Sequence, residues 1–325
     1  NTKLPKILLV LAFMSKHRLK GDIVNDLFEL INTYIYLETG SYKSSLRQSE
    51  FQHYLQNVKY PINKHYYCHI CFSEVEQEDG QCLRCHQDLS PDVHSSSFFL
   101  TMPIASQLET ILAQPDLYRY VANAPQVPVQ ERECLSDITH GKLYKQFHQQ
   151  VSNDDGAMHL TLTINTDGVR VWRSNHYDIW PVYLCINELP QHERFITKNI
   201  MLAALWKGSK KPTMLTFLKP LFHELKNLEK GVVLSTHGGR RKVKIFILAG
   251  TFDLPARAMV LNMTQYNGTF SCHRCLHPGN RLATGTRGPG TNTFPYIEHE
   301  EKSDRTVKAE DKRAAETQTK IGRAH

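Results

Sequence analysis

No stretch of this 325-residue chain is apolar for long enough to cross a bilayer. The run from Ile7 to Met14 falls far short of the roughly 20 residues a spanning helix needs, and Lys16, His17 and Arg18 follow it. No small-residue cleavage site comes after that run, so a core helix accounts for it better than a secretory signal. The eight cysteines lack the long spacings of a disulfide framework. Their Cys-x-x-Cys pairing suits a reducing compartment, cytosol or nucleus. No internal repeat is visible. With 41% hydrophobic residues the chain falls outside the disordered class, and its length gives a prior of two or three domains.

What is present most plainly is a metal-ligand spacing. HYYCHICFSEVEQEDGQCLRCHQ sets Cys68, Cys71, Cys82 and Cys85 as two Cys-x-x-Cys knuckles joined by a short loop, the ligand count and spacing for tetrahedral zinc. A disulfide or redox pair is the competing reading, and the doubled spacing favours zinc over it. His65, His69 and His86 border the motif as bystanders. A small ribbon of this kind stiffens a segment that lacks a core of its own, so zinc alone does not establish nucleic-acid binding. Cys272 and Cys275 in SCHRCLHPG offer two ligands for a second zinc. Completion would have to come from His277, from His299 or from further histidines. Cys134 and Cys185 stand alone and read as buried thiols.

Two acids carry the other chemistry. In HLTLTINTDGV, Leu160, Leu162 and Ile164 alternate with polar residues, the period-two mark of a half-buried strand, and Asp167 falls just past its polar end. In KVKIFILAGTFDLPAR the apolar stretch Ile245 to Ala249 reads as a strand covered on both faces, with Asp253 just beyond. Between them lie a strand over Val169 to Ser174, a third over WPVYLCINEL, and a helix over TMLTFLKPLFHELKNLEKG. That helix carries Leu215, Leu218, Leu221, Phe222, Leu225 and Leu228 at three- and four-residue spacing, with Gly231 as its stop and Pro220 as a kink or true start. GVVLST, a HGGR turn and the apolar strand then form a hairpin. Strand, strand, strand, helix, strand is the order of a ribonuclease H-like core, in which the first and fourth strands run parallel as neighbours. Asp167 and Asp253 would then converge and hold Mg²⁺, a hard cation that takes carboxylate and phosphate oxygens. The plainer reading is that Asp opens turns and ends strands.

The predicted architecture is α+β or α/β: a helical region over 1–64, a four-cysteine zinc ribbon or knuckle over 65–92, a strand–helix segment and linker over 93–156, and a mixed-sheet ribonuclease H-like core over 157–325. In the first region Ile23, Val24, Leu27, Phe28, Leu30 and Ile31 form an apolar stripe suited to packing. Residues 298–322 read as a mixed-charge helix without an apolar face. The net charge of +7 is modest for a nucleic-acid binder, but it is clustered. Lys207, Lys210 and Lys211 form one group, and Arg240, Arg241, Lys242 and Lys244 another; both could hold a phosphate backbone or simply be solvated loops. No sequence-reading helix stands out.

The stretches TDGVRVWRSNHYDIWPVYLCINELP, KNIMLAALWKGSKKPTMLTFLKPLFHELKNLEKGV and FDLPARAMVLNMTQYNGTFSCHRCLHPG resemble the transposase of CACTA/EnSpm-type DNA transposons and its animal relatives. The resemblance is most specific over 157–280. It implies a DDE/D transposase with Mg²⁺-dependent cleavage at transposon ends and strand transfer into target DNA, Asp167 and Asp253 being the first two catalytic acids. It also implies nuclear work, DNA as partner and no membrane; self-association is left open. The Cys272–Cys275 pair has a counterpart after the second aspartate in related transposases. A third acid is expected further on. Glu298, Glu300, Glu301 and Asp304 are candidates with nothing to single one out, and the expectation is an incomplete copy that lacks it and is inactive alone. The alternative is a transposon-derived, zinc-stabilised binding protein without catalysis.

Overall fold

The computed structural model describes residues 22–41, 62–76, 80–89, 97–124, 136–151, 156–170, 178–283 and 290–295. Two compact units divide the chain, Asn1–Pro61 and Ile62–His325. In the first, helix α1 (Asp22–Thr39) buries Phe28 and leaves Leu30, Tyr34 and Leu37 exposed, so the stripe read from the sequence is covered only in part. The rest of the expected helical region, the linker after residue 124, the strand beyond Arg170 and the mixed-charge helix over 298–322 lie outside the described residues.

The second unit is built on a nine-stranded mixed sheet. Its strands are β1 (Asn63–Tyr67), β2 (Glu74–Val75), β3 (Phe98–Thr101), β4 (Met158–Thr166), β5 (Val169–Arg170), β6 (Asp178–Ile186), β7 (Met201–Gly208), β8 (Val232–Thr236) and β9 (Gly239–Thr251). The spatial order is β2-β1-β3-β7-β6-β4-β9-β8, with β5 paired to β6. β4, β6 and β7 are antiparallel in turn, and β9 returns parallel to β4. The strand over Met201–Gly208 is the element the sequence reading lacks. MLAALWKG shows no period-two alternation, and Met201, Ala203, Ala204 and Trp206 are all buried, as in a strand covered on both faces.

Helices α2 (Ile104–Leu112), α3 (Pro115–Asn123), α4 (Lys142–Val151), α5 (Gln191–Arg194), α6 (Met214–Lys230) and α7 (Leu254–Val260) complete the described set with a small hairpin of β10 (Asn280–Leu282) and β11 (Thr291–Thr293). α6 packs on β9, β7 and β3. It buries Met214, Phe217, Leu218, Leu221, Leu225 and Leu228, while Leu215 and Phe222 face outward. Pro220 sits inside the helix, and Gly231 ends it at φ 101°, a conformation open to glycine at little cost. Beneath it Leu160, Leu162, Ile164, Val182, Leu184 and Ile186 fill the main core. The β4–β9 ladder carries a bulge: Leu162 pairs with Ile247, but the next pair is Thr163 with Ala249, so Leu248 is passed over.

The cysteine-bearing segment belongs to this sheet. β1 pairs with β3, β3 with β7, and Tyr67 stacks on Trp206 at 4.1 Å between ring centroids. Phe72, Phe99 and Phe217 surround the same indole. Aromatic pairs at such separations add roughly 0.5–1.5 kcal/mol each beyond the area they bury. The Thr216 hydroxyl of α6 donates to the Phe72 carbonyl at 2.7 Å, and Lys219 pairs with Glu74.

Candidate functional site

Sheet geometry decides which sequence-picked residues meet. The last β4–β9 pair is Asn165 with Thr251, and Asp167 and Asp253 each follow two residues later. Both acids therefore stand past the carboxyl ends of neighbouring parallel strands, at one edge of the sheet, and both are exposed. Each already has a local duty. One oxygen of Asp167 accepts from the Gly168 amide at 2.7 Å, and Asp253 caps α7 by accepting from the Ala256 amide at 2.6 Å. A carboxylate has a second oxygen and spare lone pairs, so neither bond uses up its capacity to hold a cation. Gly168 is forced by crowding: a Cβ there would lie 2.6 Å from the Trp180 ring.

Lys207 stands at the end of β7, which runs in the same direction as β4, and Lys210 and Lys211 follow in the exposed loop after it. This cluster thus shares the edge of the two acids. Lys211 Nζ lies 6.0 Å from the Trp180 ring centroid, on whose ring Gly168 also rests. Arg240, Arg241, Lys242 and Lys244 occupy the opposite end of β9, where Leu234 pairs with Arg241. Nine residues separate Lys244 from Asp253, about 30 Å along an extended strand.

The four cysteines of the first motif come together, all Sγ atoms within 4.8 Å of one another. Cys68–Cys85 and Cys71–Cys82 are each 3.6 Å apart, close to the roughly 3.8 Å edge of a tetrahedron with Zn–S bonds of about 2.3 Å. The two loops are built alike. The Phe72 amide donates to the Cys68 carbonyl and the His86 amide to the Cys82 carbonyl, both at 2.8 Å, and Phe72 and His86 take φ of 58° and 57°. The Ser73 hydroxyl, 3.3 Å from Cys82 Sγ, holds that thiol down at about 6, which favours the thiolate a metal needs. This donor set could hold a metal such as zinc.

Cys272 and Cys275 lie 3.5 Å apart, and no third ligand joins them among the described residues. His277 turns Nδ1 to the Gly279 amide. His299 lies outside the described residues, as do Glu298, Glu300, Glu301, Asp304 and Cys134. The pair is nonetheless held near the Asp253 helix, since His273 Nδ1 lies 3.0 Å from Arg257 Nη1 on α7.

Two features escaped the sequence reading. On the sheet face opposite the main core lies a cavity of about 670 Å³, whose lining includes Thr163, Asn165, Tyr183, Cys185, Phe195 and Thr251. It reaches the strand pair that precedes the two acids. The polar side of β4, Thr163 and Asn165, was its only trace in sequence. Beside it Arg194, buried, makes a two-pronged contact with Asp137 at 2.7 and 3.0 Å and donates to the carbonyls of Asn187 and Leu189. Fifty-seven residues separate the partners, so no local pattern announces the pair. Cys185, expected as a buried thiol, is half-buried and lines this cavity, and burial pushes its thiol up.

No helix among the described residues is long and apolar enough to cross a membrane. No curated protein matches the chain. A family model does: the one described as Transposase family tnp2 matches residues 134–317.

Proposed function

We propose, from the premise that the chain belongs to the tnp2 transposase family, that it is a DNA strand-cleaving and strand-transferring enzyme of CACTA/EnSpm type with a ribonuclease H-like core. The observation that carries this reading is the β4–β9 register, which brings Asp167 and Asp253 level at one sheet edge. The order β7-β6-β4-β9, three antiparallel strands with the fourth parallel to the first, supports the core assignment.

In this reading Asp167 and Asp253 would hold Mg²⁺ through the oxygens left over from their local bonds, and those bonds to Gly168 and Ala256 fix the direction of each carboxylate. Bound magnesium would supply Lewis-acid polarisation of phosphate oxygens and an activated attacking oxygen. The chain's own part is placement. Lys207, Lys210 and Lys211 attract the backbone at the same edge, and Gly168 lets β4 end flat against Trp180. Zinc at Cys68, Cys71, Cys82 and Cys85 stiffens the far side of the sheet. The site of action is DNA in the nucleus.

Magnesium-dependent nicking of supercoiled plasmid tests the proposal with Asp167→Asn and Asp253→Asn. Asparagine keeps the N-cap function at residue 253 and removes only the charge. Each variant is expected to melt as the parent does. Each should lose several kcal/mol of metal-dependent stabilisation, about a thousandfold in rate. Unchanged nicking by both would end the catalytic reading.

A further inference from the structure

The strand directions place more than the two acids at this edge. β7 is parallel to β4, β3 antiparallel to β7, and β1 antiparallel to β3. The carboxyl end of β1, from which Cys68 follows Tyr67, therefore points the same way as the ends of β4, β9 and β7. Reading across the sheet, the edge carries in turn the cysteine knuckle after β1, the lysine loop after β7, Asp167 after β4 and Asp253 after β9.

The lysine loop bridges the two ends physically. Lys211 sits against Trp180, the ring that supports Gly168 beside Asp167. Lys210 Nζ lies 5.9 Å from the ring centroid of Phe72, the residue directly after Cys71. Among the described residues neither ammonium takes part in an ion pair, and both side chains are exposed. The knuckle adds its own exposed cation, Arg84, in the loop between Cys82 and Cys85, next to Leu83, which is 89% exposed.

Spacing sets the length of the path. Four strand steps separate β1 from β4, about 19 Å at roughly 4.8 Å per step. A nucleic-acid strand rising about 3.4 Å per residue covers that span in about six nucleotides. We infer that DNA runs along this sheet edge, with one phosphate at Asp167 and Asp253, backbone contacts to Lys211 and Lys210, and the cysteine knuckle holding the duplex through Arg84 about six nucleotides away. The inference rests on the nuclease reading only for which phosphate lies at the acids. Lys210, Lys211 and Arg84 supply the affinity, against the carboxylates of Asp167, Asp178 and Asp253 at the same edge, and the cysteine-bearing loops supply a rigid far anchor.

The test uses the full chain purified with zinc and a fluorescein-labelled 24-base-pair duplex of random sequence, without magnesium, followed by anisotropy from 50 to 200 mM salt. The doubly substituted Lys210→Ala/Lys211→Ala chain is expected to bind about tenfold more weakly, with the salt slope lowered by about 1.8, or roughly 0.9 for each phosphate no longer neutralised. Arg84→Ala should lower the slope by about 0.9. Arg240→Ala/Arg241→Ala, at the opposite edge, should stay within about twofold, and thermal melting checks that each variant folds. Affinities and slopes unchanged at Lys210, Lys211 and Arg84, or a larger loss at Arg240 and Arg241, overturn the path. Nicking in magnesium separates the two ideas: Asp167-dependent nicking with no edge dependence removes the path alone, and edge-dependent binding without Asp167-dependent nicking removes the nuclease reading alone.

Discussion

At the scale of single residues, the seam that ties the cysteine segment into the sheet contains an ionisable group. His65 on β1 stacks on Phe99 at 5.0 Å, and its Nε2 lies 2.9 Å from the Thr101 hydroxyl on the neighbouring strand. Burial lowers its pKa below 6.5, against the weaker upward pull of Glu74 and Glu76. The unfolded chain then binds the proton more readily than the folded one. Stability is therefore complete above the ordinary value and declines as pH falls through 6.5 towards the depressed folded value. The urea midpoint should drop between pH 7.5 and 5.5, and His65→Gln, which keeps an amide for Thr101, should flatten that drop; parallel pH profiles for the two chains would exclude His65 as the source. Nothing in NKHYY announces this, because the neighbours that bury the imidazole come from β3. The four cysteines were legible for the opposite reason: their ligand geometry is local, two short loops of identical construction.

At the scale of elements, helix α6 and the strand before Asp167 declared themselves through periodicity, since each buries one side-chain set at a regular interval, and the strand before Asp253 through an unbroken apolar run. β7 did not, because a strand covered on both faces shows no alternation, and the sequence reading filled its place with the short β5 piece. The turn between β4 and β5 offers a sharper test. Gly168→Ala puts a methyl group 2.6 Å from the Trp180 ring, so the indole or the turn must shift. Overpacking of this sort costs about 1–3 kcal/mol. Chemical denaturation should show that loss, and nicking should fall with it because the shifted backbone carries Asp167. A fully stable variant would mean that Trp180 can move aside freely.

At the scale of the whole second unit, the cysteine loops read from sequence as a small module apart, and the structure joins them to the main sheet through β1 and the Tyr67–Trp206 stack. Sequence could not show this, since Tyr67, Phe99, Trp206 and Phe217 come from four separate elements. Stripping metal with a strong chelator should therefore lower the melting temperature of the unit in a single transition and erase the near-ultraviolet signal of the stacked rings. Loss of the cysteine loops alone, with the tryptophan signal intact, would mean the loops fold independently. The convergence of the acids was readable from element order, but their exact alignment was not, and it depends on Leu248. A sheet is a device of period two, so a one-residue slip is half a cycle and turns every later side chain to the other face. Were Leu248 taken into the ladder instead of passed over, Leu162 opposite Ile247 would carry forward to Asp167 opposite Phe252, leaving Asp253 out of phase with its partner. Straightening the bulge with Leu248 still in the chain would thus silence the edge with both acids in place, making the site's timing the property of a leucine that bears no charge.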